Sequence, residues 1–461
     1  MPLMVSTGMF SLVLFVDRTM LLWHDPSEMG AALAAGNLFW LVICPFVGIA
    51  SITGAIVSQL VGAGQNRQVG TLLWQVIWLA AMTVPLFGAV SLTGDTWIRW
   101  AGQPESIRAI EVAYFSTLLW GGAGEVLQTG LSGFYAGIHR TRTIMVISLI
   151  SGLLNMMLDA VLIFGVDLSL VGLGSPGERV FHWGIEGAAI ASVASFHFKA
   201  IVFALLLCQR AWRDSYGIFD QWKLNGAMMR RLVFFGLPAG LMYEAEAGGF
   251  TAIVLRIGRL GEGPLQATTM AINFNMIAFI PLVGLSIATS VLVGQYLIRD
   301  GWRPALQRVQ AAMLIGWTYS IAWALAYGLA ADAMIGFYGL SAPRTSLVDQ
   351  TAVSNLAASL LGFVAIYVVF DAHQLILAGA LRGAGDTWYV LVAFTVVSVG
   401  AVVLGIYFEP TLDRLEDVTA SSTRSALAYW WWVITGWVFA LAVAMTARFM
   451  SGRWRSMRMV E

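Results

Sequence analysis

Apolar residues in this chain run on for twenty positions or more between short polar breaks, without the alternation that marks half-buried strands. A helix crosses about 30 Å of hydrocarbon in about 20 residues, so such runs read as membrane-spanning helices. The breaks place spans near 2–23, 31–62, 70–93, 108–138, 142–165 and 184–209. A second set follows near 230–257, 265–298, 304–329, 346–380, 386–408 and 427–449. The expected fold is an all-α integral membrane protein with twelve transmembrane helices. Strands are not expected, because a membrane barrel would show short alternating segments.

Composition supports this reading. The chain is 58% hydrophobic and 11% charged, whereas a soluble domain carries about 25% charged residues. The 48 glycines are spread through apolar segments, which suits close helix contacts in membranes. Trp430, Trp431 and Trp432 stand where a last span should begin, at the depth of an interfacial belt. The net charge is zero, so no nucleic-acid partner is expected. Cys44 and Cys208 lie within apolar segments and read as packed free thiols.

Charge also sets the expected orientation. One set of loops holds most of the bases, among them Arg67, Arg140, Arg142, Arg210, Arg213, Lys223, Arg299, Arg303, Arg382 and Arg448. The other set holds fewer, including Arg99, Arg108, Arg179, Arg256, Arg344 and Arg414. The richer set should be cytoplasmic, which puts both termini inside. The longest loop on that side divides the chain into an N-lobe over 1–211, a linker over 212–229 and a C-lobe over 230–461.

The two lobes repeat one another. Asn37, Pro45, Gly48, Val57 and Gln59 recur at one constant offset as Asn273, Pro281, Gly284, Val293 and Gln295. Glu125, Gln128 and Gly137 recur at a second offset as Asp371, Gln374 and Gly383. Equivalent spans run in the same direction, so the expected symmetry is a pseudo-two-fold axis along the membrane normal. Pro45, Pro238 and Pro281 each remove a backbone hydrogen bond within a span and are candidate hinges.

An ionisable group at the centre of a span costs about 2.5–3.5 kcal/mol on insertion scales, so each one asks for a cavity or a partner. Asn155 and Asp159 are four apart and share a helix face. Asp159 lies about 27 Å from the basic end of its span, and Asp17 sits near the same depth in the first. Two carboxylates and an amide oxygen offer hard ligands for a cation such as Na⁺, or the carboxylates can share a proton. Glu246, about 24 Å into its span, and Asp371, about 16 Å from its end, form a second acidic pair in the C-lobe. Glu125, Gln128 and Gln374 join the candidates through the repeat. Lys199 is expected to snorkel toward Arg210, and His197 and His373 to pack.

Several segments resemble the MATE (multidrug and toxic compound extrusion) family. VSQLVGAGQNRQVG resembles its second-to-third-span region, and NMMLDAVLIFG with GIEGAAIASV its fifth and sixth spans. GLPAGLMYEAE resembles its seventh span, and FDAHQLILAGALRGAGDT its tenth span with the following loop. By that similarity Asp17, Asn155 and Asp159, with Ser192, match the family's N-lobe cation site. Glu246 and Asp371 match the C-lobe acids of NorM-like bacterial members. The basic stretch at 139–142 and Arg18 beside Asp17 depart from the pattern. The resemblance implies a secondary active antiporter of a bacterial inner membrane, expected to work as a monomer without a cofactor. It would exchange H⁺ or Na⁺ for amphipathic, often cationic, small molecules, with membrane lipid as its surroundings. Two alternatives stand beside it. A lipid-linked precursor flippase of the same superfamily would carry a more basic cavity. A membrane-embedded transferase would need an interfacial acidic loop, for which 409–417 is the nearest stretch.

Overall fold

The computed structural model describes residues 1–100, 105–167, 179–339, 350–409 and 420–460. Arg344, Arg414 and most of the acidic stretch that ends at Asp417 lie outside these residues. The described chain is helical almost throughout. Its elements are α1 (Pro2–His24), α2 (Pro26–Ser51), α3 (Thr53–Gly62), α4 (Asn66–Leu92), α5 (Gly94–Trp100), α6 (Glu105–Gly137), α7 (Thr141–Phe164), α8 (Gly184–Leu207) and α9 (Arg210–Tyr216). They continue with α10 (Gly226–Gly258), α11 (Glu262–Arg299), α12 (Trp302–Leu329), α13 (Ala331–Gly339), α14 (Gln350–Ala384), α15 (Thr387–Tyr407) and α16 (Ala420–Met450).

Among the described residues, ten helical stretches are long and apolar enough to cross a membrane unaided. The other two of the twelve expected spans are α6 and α10, each 33 residues long. Their hydropathy is diluted by Glu105, Arg108, Glu111 and Glu125 in α6, and by Arg230, Arg231, Glu244, Glu246 and Arg256 in α10. Spans that carry charge are expected to face the bundle interior or a water-filled space. No described span is a strand, as expected; in the connection between α7 and α8, Val166–Asp167 and Arg179–Val180 form an antiparallel ladder. It is two residues long, a clasp between α7 and α8, far too short to span.

By packing, the chain forms two compact units. One comprises Met1–Gly240 with Met459–Glu461, the other Leu241–Arg458. The linker at 212–229 is well tied to the first unit. It carries α9, and its backbone carbonyls at Ile218 and Trp222 accept hydrogen bonds from the indoles of Trp74 and Trp78 on α4. The Asn225 N–H donates to Gln75 Oε1 at 3.0 Å.

The same packing plan occurs inside each unit. In the first, α6 is the central helix, flanked by α2, α3, α4 and α8; in the second, α14 is flanked by α11, α12 and α16. The repeat reaches down to single glycines. A Cβ on Gly133 would fall 2.9 Å from the backbone nitrogen of Gly54, and one on Gly137 3.0 Å from the Gly54 carbonyl oxygen. At the equivalent crossing, Cβ atoms on Gly379 and Gly383 would lie 2.4 and 2.1 Å from the carbonyl oxygens of Ser286 and Ser290. Small residues let helix backbones approach closely where no solvent drives association. Composition thus dictates where each central helix meets its neighbour.

The helices run unbroken through Pro45, Pro238 and Pro281, and also through Pro85 in α4. The second span is interrupted at Ile52, between α2 and α3, seven residues past Pro45.

Candidate functional site

In the first unit the site begins with a zipper between α1 and α7. Ser6, Met9, Val13 and Asp17 stand on one face of α1. Ser148, Gly152, Asn155 and Asp159 stand on one face of α7. Both stripes follow the i, i+3, i+4 spacing that keeps side chains in line. The Ser6 hydroxyl donates to that of Ser148 at 2.6 Å. One turn on, Gly152 leaves a notch that Met9 and Val13 fill, since a Cβ there would sit 2.5 Å from Met9 Cε and 3.2 Å from Val13 Cγ2. With the helices in register, Asp17 arrives at the level of Asn155 and Asp159. A reciprocal pair of bonds, from each hydroxyl of Ser151 and Ser195 to the other's carbonyl, fixes α8 to α7.

Asp17, Asn155 and Asp159 are 6%, 1% and 0% exposed. Asp17 and Asp159 repel one another and both act on the Tyr114 hydroxyl. Both polar atoms of Asn155, both carboxylate oxygens of Asp159 and Oδ1 of Asp17 are buried without a hydrogen-bond partner. Each orphaned buried group costs about 1–3 kcal/mol, more when charged. Among the described residues, no side chain or backbone group satisfies these polar atoms.

A cavity of about 130 Å³ opens beside them, lined by Asp17 and Asn155 with Tyr114, Asn37, Trp40 and Ser192 among others. Ser192 lines the same cavity as Asp17 and Asn155. Asp159 is not on the cavity wall and stands one turn further along α7 than Asn155. The wall also carries two bases. Arg18 is one. The other is Lys199, whose expected path to Arg210 is not taken; its Nζ lies 5.6 Å from the centroid of the Phe196 ring. A cation held over an aromatic face needs no excursion to the interface.

In the second unit, Asp371 is 4% exposed and Glu246 half-buried. They repel one another, and Arg382 attracts Glu246. Arg382 was placed in a basic loop by sequence. It lies inside α14, 6% exposed, donating to Ser286 Oγ at 3.0 Å and Tyr243 Oη at 3.5 Å, with Nε unpartnered. The long side chain folds back along its own helix, which residue spacing alone does not reveal. The Gln374 amide donates to Asp371 Oδ1 at 3.3 Å. The equivalent Gln128 amide donates to Glu125 Oε1 at 2.7 Å, leaving Oε2 of Glu125 buried and unpaired. The acid–amide pair is thus built twice.

Other candidates are resolved more simply. His373 stacks on Trp317 and bonds Thr446, as a packing residue does. His197 is exposed and bonds the Val193 carbonyl. Neither cysteine is in a disulfide, and Cys208 is exposed at the end of α8 rather than packed. Sequence reading missed Glu111, which is fully buried with both carboxylate oxygens unpaired. It stands in the charged first turns of α6, beside Glu105 and Arg108, where composition alone does not set it apart. Among the described residues, no group of three or more His, Cys, Asp or Glu side chains is placed to ligate a metal ion.

A helical membrane protein made of two like-packed units, each with a buried acidic centre, is a transporter by architecture. The family model MatE matches residues 2–161 and 238–411, and the chain belongs to this family of transporters. A probable multidrug resistance protein NorM from Xanthomonas campestris is 30% identical over 397 residues, covering 83% of this chain and 79% of that protein. The multidrug resistance protein PmpM of Pseudomonas aeruginosa is 29% identical over 396 residues, covering 84% and 77%. Among solved structures, a MATE transporter in complex with MaL6 superposes with a TM-score of 0.81 at 17% identity, covering 98% of this chain and 94% of the other. Membership in a transporter family removes the membrane-embedded transferase from consideration.

Proposed function

We propose that this protein is a secondary active antiporter of the bacterial inner membrane, with both termini cytoplasmic. It exports amphipathic, often cationic, small molecules in exchange for H⁺ or Na⁺. The observation that carries this reading is the set of orphaned acceptors on Asp17, Asn155 and Asp159. A proton or a sodium ion satisfies carboxylate and amide oxygens; an uncharged amphiphile does not. Glu246 and Asp371 provide a second place where a cationic substrate and a coupling ion compete for one charge, with Arg382 as a tethered competitor. Each charge moved through 100 mV supplies about 2.3 kcal/mol, and each pH unit about 1.4 kcal/mol. One pH unit thus supports about a tenfold substrate gradient, and 100 mV supports more than that for an exchange that moves one net charge inward. The NorM and PmpM relatives support the substrate class by their names.

A second reading, a flippase for an anionic lipid-linked precursor, is favoured by Arg18 and Lys199 on the cavity wall. The deciding experiment is uptake of a fluorescent organic cation into inverted vesicles, with ΔpH and ΔNa⁺ imposed separately. Gradient-driven uptake that is lost in Asp159→Asn supports antiport. Uptake independent of both gradients, together with translocation of a polyprenyl-linked diphosphate in proteoliposomes, supports the flippase.

A further inference from the structure

At the end of the first unit where α1 and α7 finish and α2 and α8 begin, three segments bring two imidazoles and a carboxylate together. His24 is the last residue of α1, Glu28 lies in the first turn of α2, and His182 is two residues before α8. His24 Nδ1 lies 2.8 Å from Glu28 Oε2, and His24 Nε2 lies 3.2 Å from His182 Nε2. The carboxylate accepts the Nδ1–H of His24. That fixes the tautomer and leaves a lone pair on Nε2, aimed at the facing nitrogen.

The arrangement is built around a gap that only glycine provides. Gly184 opens α8 with φ +53, and a Cβ on it would sit 2.6 Å from Glu28 Oε1 and 2.9 Å from His24 Cε1. Phe181, next to His182, holds φ +62, a left-handed conformation rare for an aromatic residue. Backbone in such regions persists where the surroundings over-determine it and collects at functional sites. The side chains of His24 and Glu28 are 19% and 13% exposed, while His182 is open to solvent. The cluster is therefore braced on one side and reachable on the other.

We propose that His24 and His182 bind a zinc-class divalent metal ion through their Nε2 atoms, with Glu28 as the positioning residue. Imidazole nitrogens bind zinc at about 2.0–2.1 Å, and two of them 3.2 Å apart subtend about 100° at a metal equidistant from both. That angle is close to tetrahedral, and solvent fills the remaining positions. Oxygen-seeking Na⁺, Mg²⁺ and Ca²⁺ have no use for such nitrogens. The Glu28–His24 bond is the carboxylate–histidine arrangement that orients a ligating ring. In the metal-free chain His182 donates its Nε2–H to His24. On binding, that proton resides on Nδ1 of His182, so two neutral rings face the metal. The ion would tie the end of α1 to the start of α8, about two turns beyond Asp17.

The test uses the full chain without a histidine tag, stripped with chelator and reconstituted in lipid nanodiscs. Calorimetric titration with Zn²⁺ should show one saturable site per chain, absent with Mg²⁺. His24→Gln and His182→Gln should each reduce the affinity at least about tenfold, and Glu28→Gln by about 10–100-fold, the usual loss for such a partner. His197→Gln, at a histidine outside the cluster, should bind as the wild type does. Cobalt titration of the wild type tests geometry without any variant: the proposal requires the intense visible bands of tetrahedral Co²⁺. Octahedral Co²⁺ spectra, no zinc binding above the magnesium control, or unchanged zinc affinity in the folded His24→Gln, His182→Gln double variant would each overturn it.

Discussion

Replacing Asn155 with leucine should make the protein more stable and less able to transport. Asn155 is 1% exposed, and neither its amide nitrogen nor its carbonyl oxygen has a partner. Each orphaned atom carries a desolvation cost of about 1–3 kcal/mol. Leucine has nearly the same shape and no polar atom, so the substitution removes both costs. Taking the lower end for each, the ion-free protein should gain about 2 kcal/mol, roughly a 30-fold shift in the folded-to-unfolded ratio. The same change deletes one ligand from the proposed cation site. Stabilisation by added Na⁺, or by lowered pH, should shrink with it, because a ligand stabilises only the state that binds it. Unfolding midpoints in detergent, measured with and without Na⁺ at two pH values, read both effects. Vesicle uptake of a fluorescent cation reads the third. An Asn155→Leu protein that unfolds more easily than the wild type, or keeps the full ion-dependent stabilisation, would refute the claim that these orphaned atoms await an ion.

Asp371→Asn keeps its size and its contact with Gln374 but cannot change charge, so it should fold, bind neutral amphiphiles and lose gradient-driven export; wild-type export rates in vesicles would count against the coupling role. Gly383→Ala puts a methyl 2.1 Å from the Ser290 carbonyl oxygen, an overpacking worth about 1–3 kcal/mol or more, whereas Gly400→Ala meets nothing within 4 Å and should be neutral or slightly stabilising. Equal thermal midpoints for these two variants would show that the α11–α14 crossing tolerates separation. Asp386→Ala abandons Arg448, whose guanidinium donates to both carboxylate oxygens at 2.6 and 3.0 Å; a loss of about 3 kcal/mol is expected from breaking a largely buried pair, visible as a lowered unfolding midpoint and relieved in Asp386→Asn, which keeps one acceptor.

Much of this molecule was legible before any coordinates. Span positions follow from the length of apolar runs, which the bilayer fixes. The convergence of Asp17, Asn155 and Asp159 follows from helical spacing plus equal depth, since membrane spans run nearly side by side. The Glu125–Gln128 and Asp371–Gln374 pairs follow from the repeat. What sequence hid was the reach of flexible side chains and the meeting of chain segments far apart. Arg382 reads as a loop base until α14 is seen to extend past it, and Lys199 reads as a snorkelling residue until Phe196 is found beneath it. Ile52 lies between Gly48 and Gly54, but glycine is frequent throughout these apolar spans, so the interruption between α2 and α3 is not singled out by sequence. The His24–Glu28–His182 cluster brings together residues 158 positions apart, and no periodicity encodes that.

The glycines of the first unit do not all do the same mechanical work. Gly133 presses α6 against the α3 backbone at Gly54, and Gly137 presses it against the Val57 side chain and the Gly54 carbonyl; backbone cannot yield without unwinding a helix, and a β-branched side chain has little rotamer freedom to give. Gly152 instead receives the tip of Met9, an unbranched thioether with several rotatable bonds and many shapes of similar energy. One joint is therefore stiff and the other compliant. A push on this unit leaves α6 in place and is absorbed at α1, and the compliant joint lies two turns from Asp17. The helix that carries Asp17 is thus mounted on a soft bearing, while α6, which brings Tyr114 to the same cavity wall, is held on a hard one.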